Sequence, residues 1–95
     1  MSVTVGLLHL EFHIPQAESL KDKRRQVKGF KDRLASRFNV SVAEVDALDN
    51  RRRAVLAVAM VGSDHQYVEG ALQQIVNAAQ NHREMILAAS RMDWL

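Results

Sequence analysis

Between positions 3 and 14 the chain alternates. Leu8, Leu10, Phe12 and Ile14 fall on one side; His9, Glu11 and His13 fall on the other, with Val3, Val5 and Leu7. A period of two is that of a strand with one buried face. Pro15 has no backbone donor and ends it, and residues 16–18 make a short connector. From Ser19 to about Arg37 the period changes. Leu20, Val27, Phe30, Leu34 and Phe38 form one stripe at 3.6-residue spacing, which predicts a helix. Ser19, with Asp22 three positions on, is placed to cap its start. Gly29 lies off the stripe and weakens the helix by ~1 kcal/mol relative to Ala, and Asn39 suits its end. Residues 40–46 mix Val and Ala with Ser, Glu and Asp and read as a second strand, with Glu44 and Asp46 on one face. A turn-prone segment, 47–52, leads into 53–61, whose Val, Leu, Ala and Met content predicts a more buried strand in a hairpin with the second. After Gly62, Ser63 and Gln66 offer another capping box, and Val68, Leu72, Ile75, Val76 and Ala79 carry a second helical stripe to about 81–82. Residues 85–89 open a last strand that reaches Met92 or Trp94.

The order is β-α-β-β-α-β. Each helix has one apolar stripe, so both should cover one face of a four-stranded antiparallel sheet. That is the α+β, ferredoxin-like arrangement, expected here as a single domain over residues 1–95.

Charge changes this picture. The net charge is only +2, from thirteen Lys and Arg against eleven Asp and Glu. Residues 21–53 hold eleven of those cations and five of the acids, a local balance of +6; the remainder holds two against six, a balance of −4. Such asymmetry within one domain points to a basic patch. There is no cysteine, which excludes disulfides, thiolate metal sites and a Cys nucleophile. The longest apolar run, 54–61, is far short of the ~20 residues a bilayer requires. The first fifteen residues lack a basic n-region and a small-residue cleavage site. The expectation is a soluble cytoplasmic protein with no membrane partner.

The topology then places the charges. If the first strand runs up, the first helix starts at the top, the 47–52 loop lies at the top, and the second helix ends there. Lys21, Lys23, Arg24, Arg25, Arg51, Arg52 and Arg83 are thereby expected on one edge, with His13 and His82 nearby. Cations at a helix start oppose the helix dipole by up to ~1 kcal/mol each. Free backbone N–H groups there already favour an anion, and a bound phosphate would offset the repulsion. Lys21, Lys23, Arg24, Arg25, Arg51 and Arg52 are the candidate anion or nucleic-acid site. Lys23 also falls within the apolar stripe, where its stem is expected to cover Leu20 and Val27 while its head reaches water.

Other constellations carry less. His9, Glu11 and His13 lie ~6.5–7 Å apart along one strand face, and two imidazoles so spaced can share a zinc ion. Nothing supplies a fourth ligand or second shell, so no metal and no cofactor are expected. The same uncovered face, with Val3, Val5 and Leu7, is a natural homodimer surface. RNA-binding sheets of this topology stack bases on exposed aromatics. Here the 53–61 strand has none, Phe12 is in the buried phase, and Phe30 and Phe38 belong to a helix stripe. Any nucleic-acid contact would be electrostatic. There is no Gly-rich phosphate loop, no GxSxG elbow and no arguable Ser–His–Asp set, so the expected class is a binding module, not an enzyme.

At SLKDKRRQVKGFKDRLASRFNVSVAEVD, residues 19–46, the chain resembles the YlxP-like family of small bacterial proteins of unknown function, and the flanking GLLHLEFHIPQAES and RRAVLAVAMVGSD are also similar. The resemblance implies a ferredoxin-like fold and supplies no catalytic residues. Genes of this family often neighbour those for translation initiation and ribosome maturation factors, which implies a link to ribosomes or RNA. The C-terminal ASRMDWL departs from the family pattern in carrying less charge. Two functions are therefore expected: contact with phosphates of ribosomal or other structured RNA, or a structural or regulatory homodimer that binds a small anion.

Overall fold

The computed structural model describes residues 2–95. It has six elements: β1 (Thr4–His13), α1 (Leu20–Arg37), β2 (Ser41–Asp46), β3 (Arg53–Gly62), α2 (His65–Gln80) and β4 (Ile86–Trp94). The strands form one antiparallel sheet in the order β2-β3-β1-β4, with both helices on one face, the ferredoxin-like arrangement.

The alternation in β1 does what its period requires. Leu8, Leu10 and Phe12 pair with Val58, Leu56 and Ala54 of β3, and all six are buried beneath the helices. Between them, Leu7, His9 and Glu11 pair with Ala59, Ala57 and Val55 on the open face. Val27, Phe30 and Leu34 of α1 and Val68, Leu72, Ile75, Val76 and Ala79 of α2 close the core. Gly6 permits the tight approach of α2 and β4: a Cβ there would lie 2.7 Å from Leu72 Cδ1 and 2.9 Å from Trp94 Cζ3. No helix among the described residues is long and apolar enough to cross a membrane.

Local chemistry sets the element ends. Ser19 caps α1, its hydroxyl accepting from the Asp22 N–H at 3.1 Å, while the Asp22 carboxylate accepts from the Glu18 N–H at 3.1 Å. Three expectations shift. Helix α1 ends on an extended Phe38, whose N–H donates to the Leu34 carbonyl, and not on Asn39. Asp64, not Ser63, caps α2, because its carboxylate reaches the Gln66 N–H at 3.2 Å. Glu44 and Asp46 do not share a face. The register slips between them, so that Glu44 pairs with Leu56 under the helices and Asp46 with Val55 on the open side. A second slip, between Glu11 and Phe12, seats β4, which runs on to Trp94.

Candidate functional site

The first turns of α1 and the β2–β3 loop lie at the same pole. The residue that joins them is Lys23. At that position the helix stripe points inward, and the side chain is fully buried. Its ammonium donates to Glu44 Oε2 at 2.8 Å and to the carbonyls of Ala47, Leu48 and Arg53 at 2.8, 3.1 and 3.3 Å. This corrects the expectation that its head reaches water, and removes Lys23 from the residues able to meet an anion. It is an internal staple. It also holds a strained turn: Ala47 has φ 57, the sole non-glycine residue with positive φ among those described. The Ala47 carbonyl accepts from both Lys23 and the Asn50 N–H, and its own N–H donates to Asp46 at 2.7 Å.

The other five candidates are exposed around this staple. Lys21 and Arg24 stand on the first turns of α1, and Arg25 beside them reaches Asp22 at 3.2 Å. Arg51 and Arg52 stand on the loop. The loop is fastened to the β1–α1 connector, where the Ile14 N–H donates to the Arg52 carbonyl at 2.8 Å. Lys21, Arg24 and Arg51 make no side-chain hydrogen bond or ion pair to other described residues. Arg24 continues into a shallow groove against β2, lined also by Lys28, Lys31, Asp32 and Glu44. Positions 24, 28 and 31 share one helix flank, so the cationic surface runs down α1 beyond the stretch the sequence singled out. Lys28 pairs with Asp32 at 2.7 Å, and that contact raises its pKa.

The second helix returns to α1 lower down. The turn after α2 meets α1 at Gln26 and Phe30, further along than the Ser19 cap, and leads into β4 beside His13, so His82 and Arg83 stand at the same end of the sheet as the pole but against the other flank of α1. His82 packs edge-on to Phe30, ring centroids 5.8 Å apart, and its Nδ1 accepts from the Glu84 and Met85 N–H groups at 3.1 and 3.0 Å. Burial, reinforced by Arg33, lowers its pKa below the ordinary value of 6.5, against a smaller opposing pull from Glu84. Protonation at Nδ1 would abolish both backbone hydrogen bonds. The unfolded chain takes up that proton at higher pH than the fold does. The contribution of His82 is therefore complete above 6.5 and declines from there down to its lowered folded value. Thermal melts across this range should show a decline on acidification that is absent in His82→Gln.

On the open face, charges are paired. Arg53 donates through Nε to Glu11 at 3.2 Å, a contact that raises the Arg53 pKa, with Asp46 adding. His9 approaches Asp93 at 3.4 Å, and Asp93 also accepts from Arg91. His9, Glu11 and His13 are thus not gathered on one point. No group of three or more His, Asp or Glu side chains is placed to hold a metal among the described residues.

A family model described as "Protein of unknown function (DUF503)" matches residues 5–92. The "Uncharacterized protein YlxP" of Bacillus subtilis (strain 168) is 30% identical over 90 residues, 95% of this chain and 98% of that one. Among solved structures, an amidase of the hydantoinase/carbamoylase family from Burkholderia phymatum superposes with a TM-score of 0.50 at 11% identity. That likeness covers 99% of this chain but 28% of the amidase, and at such identity it concerns the fold alone.

Proposed function

The chain belongs to DUF503, a family of proteins of unknown function, and we propose that it is a binding module whose cationic pole contacts phosphates of ribosomal or other structured RNA. One observation carries this reading. Lys21, Arg24, Arg25, Arg51 and Arg52 stand exposed on two segments that a buried Lys23 locks together. Cations on a rigid, open surface suit an extended polyanion, because each can neutralise a phosphate without a shaped pocket. The backbone N–H groups at the α1 start add donors of the same polarity.

Binding to bacterial rRNA fragments, measured by fluorescence anisotropy across a salt series, tests this. Each phosphate neutralised contributes a slope of about −0.7 to −0.9 in log affinity against log salt. Arg24→Ala with Arg25→Ala should make the slope shallower by about 1.5 units, as should Arg51→Ala with Arg52→Ala. A flat salt response, or unchanged binding by both double variants, ends the proposal.

A second reading rests on the open sheet face. There Val5, Leu7, Val55, Ala57 and Ala59 are half-buried, Val61 and Ile86 are exposed, and the acids and bases around them are already paired. Self-association through that face would bury apolar surface without stranding a charge. Sedimentation of the same samples separates the two: a tight dimer with no RNA affinity establishes this reading in place of the first.

A further inference from the structure

The two flanks of α1 are chemically different. On the flank facing α2, Phe30, Arg33 and Arg37 recur at helical spacing and form one wall of a hollow. Ala78 of α2 and the turn that carries His82 and Arg83 form the other wall. The hollow has a volume of about 420 Å³, within the ~300–1,000 Å³ range of small-molecule sites and far larger than a bare inorganic anion needs. Phe30 and Leu34 underlie it but are both 2% exposed, so the apolar surface open to a ligand is that of Ala78 and the arginine stems.

Its rim is not apolar. The Arg33 and Arg83 side chains make no hydrogen bond or ion pair among the described residues, and the Arg37 guanidinium lies over the Phe38 ring at 5.4 Å. Arg33 and Arg37, four apart on one helix, repel each other. The single acid on the rim, Glu84, is held by the Gln26 amide. Three guanidiniums against one carboxylate leave the hollow with a formal charge of +2.

His82 adds a neutral donor to the lining. Its Nδ1 accepts two backbone N–H bonds, so the uncharged ring carries its proton on Nε2. The ring is fixed by those bonds and by the Phe30 edge. A neutral N–H donor, three guanidiniums and some open apolar surface are the requirements of a phosphate ester: the dianionic head matches the charge, and guanidiniums grip phosphate oxygens in pairs.

We propose that the groove between α1 and α2 binds a small organic phosphate monoester, with Arg33, Arg37, Arg83 and the His82 Nε2–H holding the phosphate and Ala78 with the arginine stems receiving the organic part. This site lies on the opposite flank of α1 from the Arg24–Lys28 surface and does not depend on RNA binding there.

Amide NMR titration of the full chain with glycerol phosphate, glucose phosphate and adenosine monophosphate tests it. Inorganic phosphate, unphosphorylated adenosine and an rRNA fragment serve as comparison arms. At least one ester should saturate, with shifts concentrated on residues 30–37, 78 and 81–84. Inorganic phosphate should shift the same residues more weakly, and adenosine should not shift them. Arg83→Ala and Arg33→Ala, both exposed positions, should each weaken that ester about tenfold or more while the rest of the spectrum keeps its dispersion. Saturation by no ester, shifts confined to Lys21–Arg25 and Arg51–Arg52, or shifts in the groove from RNA alone would overturn the assignment. Loss of RNA binding at the pole would not.

Discussion

Lys23→Ala is expected to lower the unfolding free energy by about 3–5 kcal/mol, the usual consequence of removing one partner from a buried ion pair. For a chain of this size about 4–8 °C of Tm accompanies each kcal/mol, so the melt should move down by at least ~12 °C. The cost has three sources. The Glu44 side chain is only 14% exposed and would be left without its cation. The carbonyls of Ala47, Leu48 and Arg53 would lose a charged donor. The left-handed Ala47 would lose the contact that holds its turn. Lys23→Met separates packing from charge: it restores the buried stem but leaves Glu44 unpaired, so it should recover only part of the loss. Adding Glu44→Gln removes the stranded carboxylate and should recover more, because an absent pair is cheaper than half of one. Lys23→Arg is not conservative here, since a planar guanidinium cannot direct its donors at acceptors arranged around a point. Circular-dichroism melts decide the matter. A Lys23→Ala protein within about 1 kcal/mol of wild type would mean that the ammonium does not hold the loop.

The elements whose partners are fixed by period were legible in the sequence. Leu8, Leu10, Phe12 and Ile14 could be assigned to the core because a strand has two faces and only one carried large apolar side chains. Val68, Leu72, Ile75 and Ala79 followed from the 3.6-residue repeat in the same way. The shared pole of the α1 start and the 47–52 loop also followed, because antiparallel topology leaves those segments only one end of the sheet.

What was not legible depends on contacts between distant residues. The stripe marks position 23 as inward, but whether an inward Lys reaches water depends on what lies above it. Here that is a set of carbonyls 24 to 30 residues further along the chain. The slip in β2 that separates Glu44 from Asp46 leaves no mark in a six-residue strand. The choice of Asp64 over Ser63 turns on a one-residue difference in where α2 begins, and both residues are good caps. The interhelical groove was not legible. Gln26, Phe30, Arg33 and Arg37 share a flank by spacing alone, yet nothing in the spacing says that Arg83 and His82 close the other side.

Phe30 is where core and groove meet, so its replacement should affect both. Phe30→Ala is expected to cost about 3–5 kcal/mol, the range for emptying a large aromatic site in a packed core. The ring is 2% exposed and edge-on to Phe12 of β1, with centroids 5.4 Å apart and planes at 75°. That pair ties α1 to the sheet and adds about 0.5–1.5 kcal/mol beyond the area buried. The other edge of Phe30 meets His82 in the same T-shaped geometry. Phe30→Leu keeps most of the volume and should keep the fold, but it gives His82 no ring to pack against. Because burial is the main cause of the lowered His82 pKa, the imidazole in Phe30→Leu should titrate nearer its ordinary value. Proton NMR of the His82 ring reports this directly, independent of any ligand. The pole should be unaffected, since the bonds of Lys23 to the 47–52 loop involve neither ring. If the His82 titration stays in place in a folded Phe30→Leu protein, the groove is set by the α2 turn itself and not by the core beneath it.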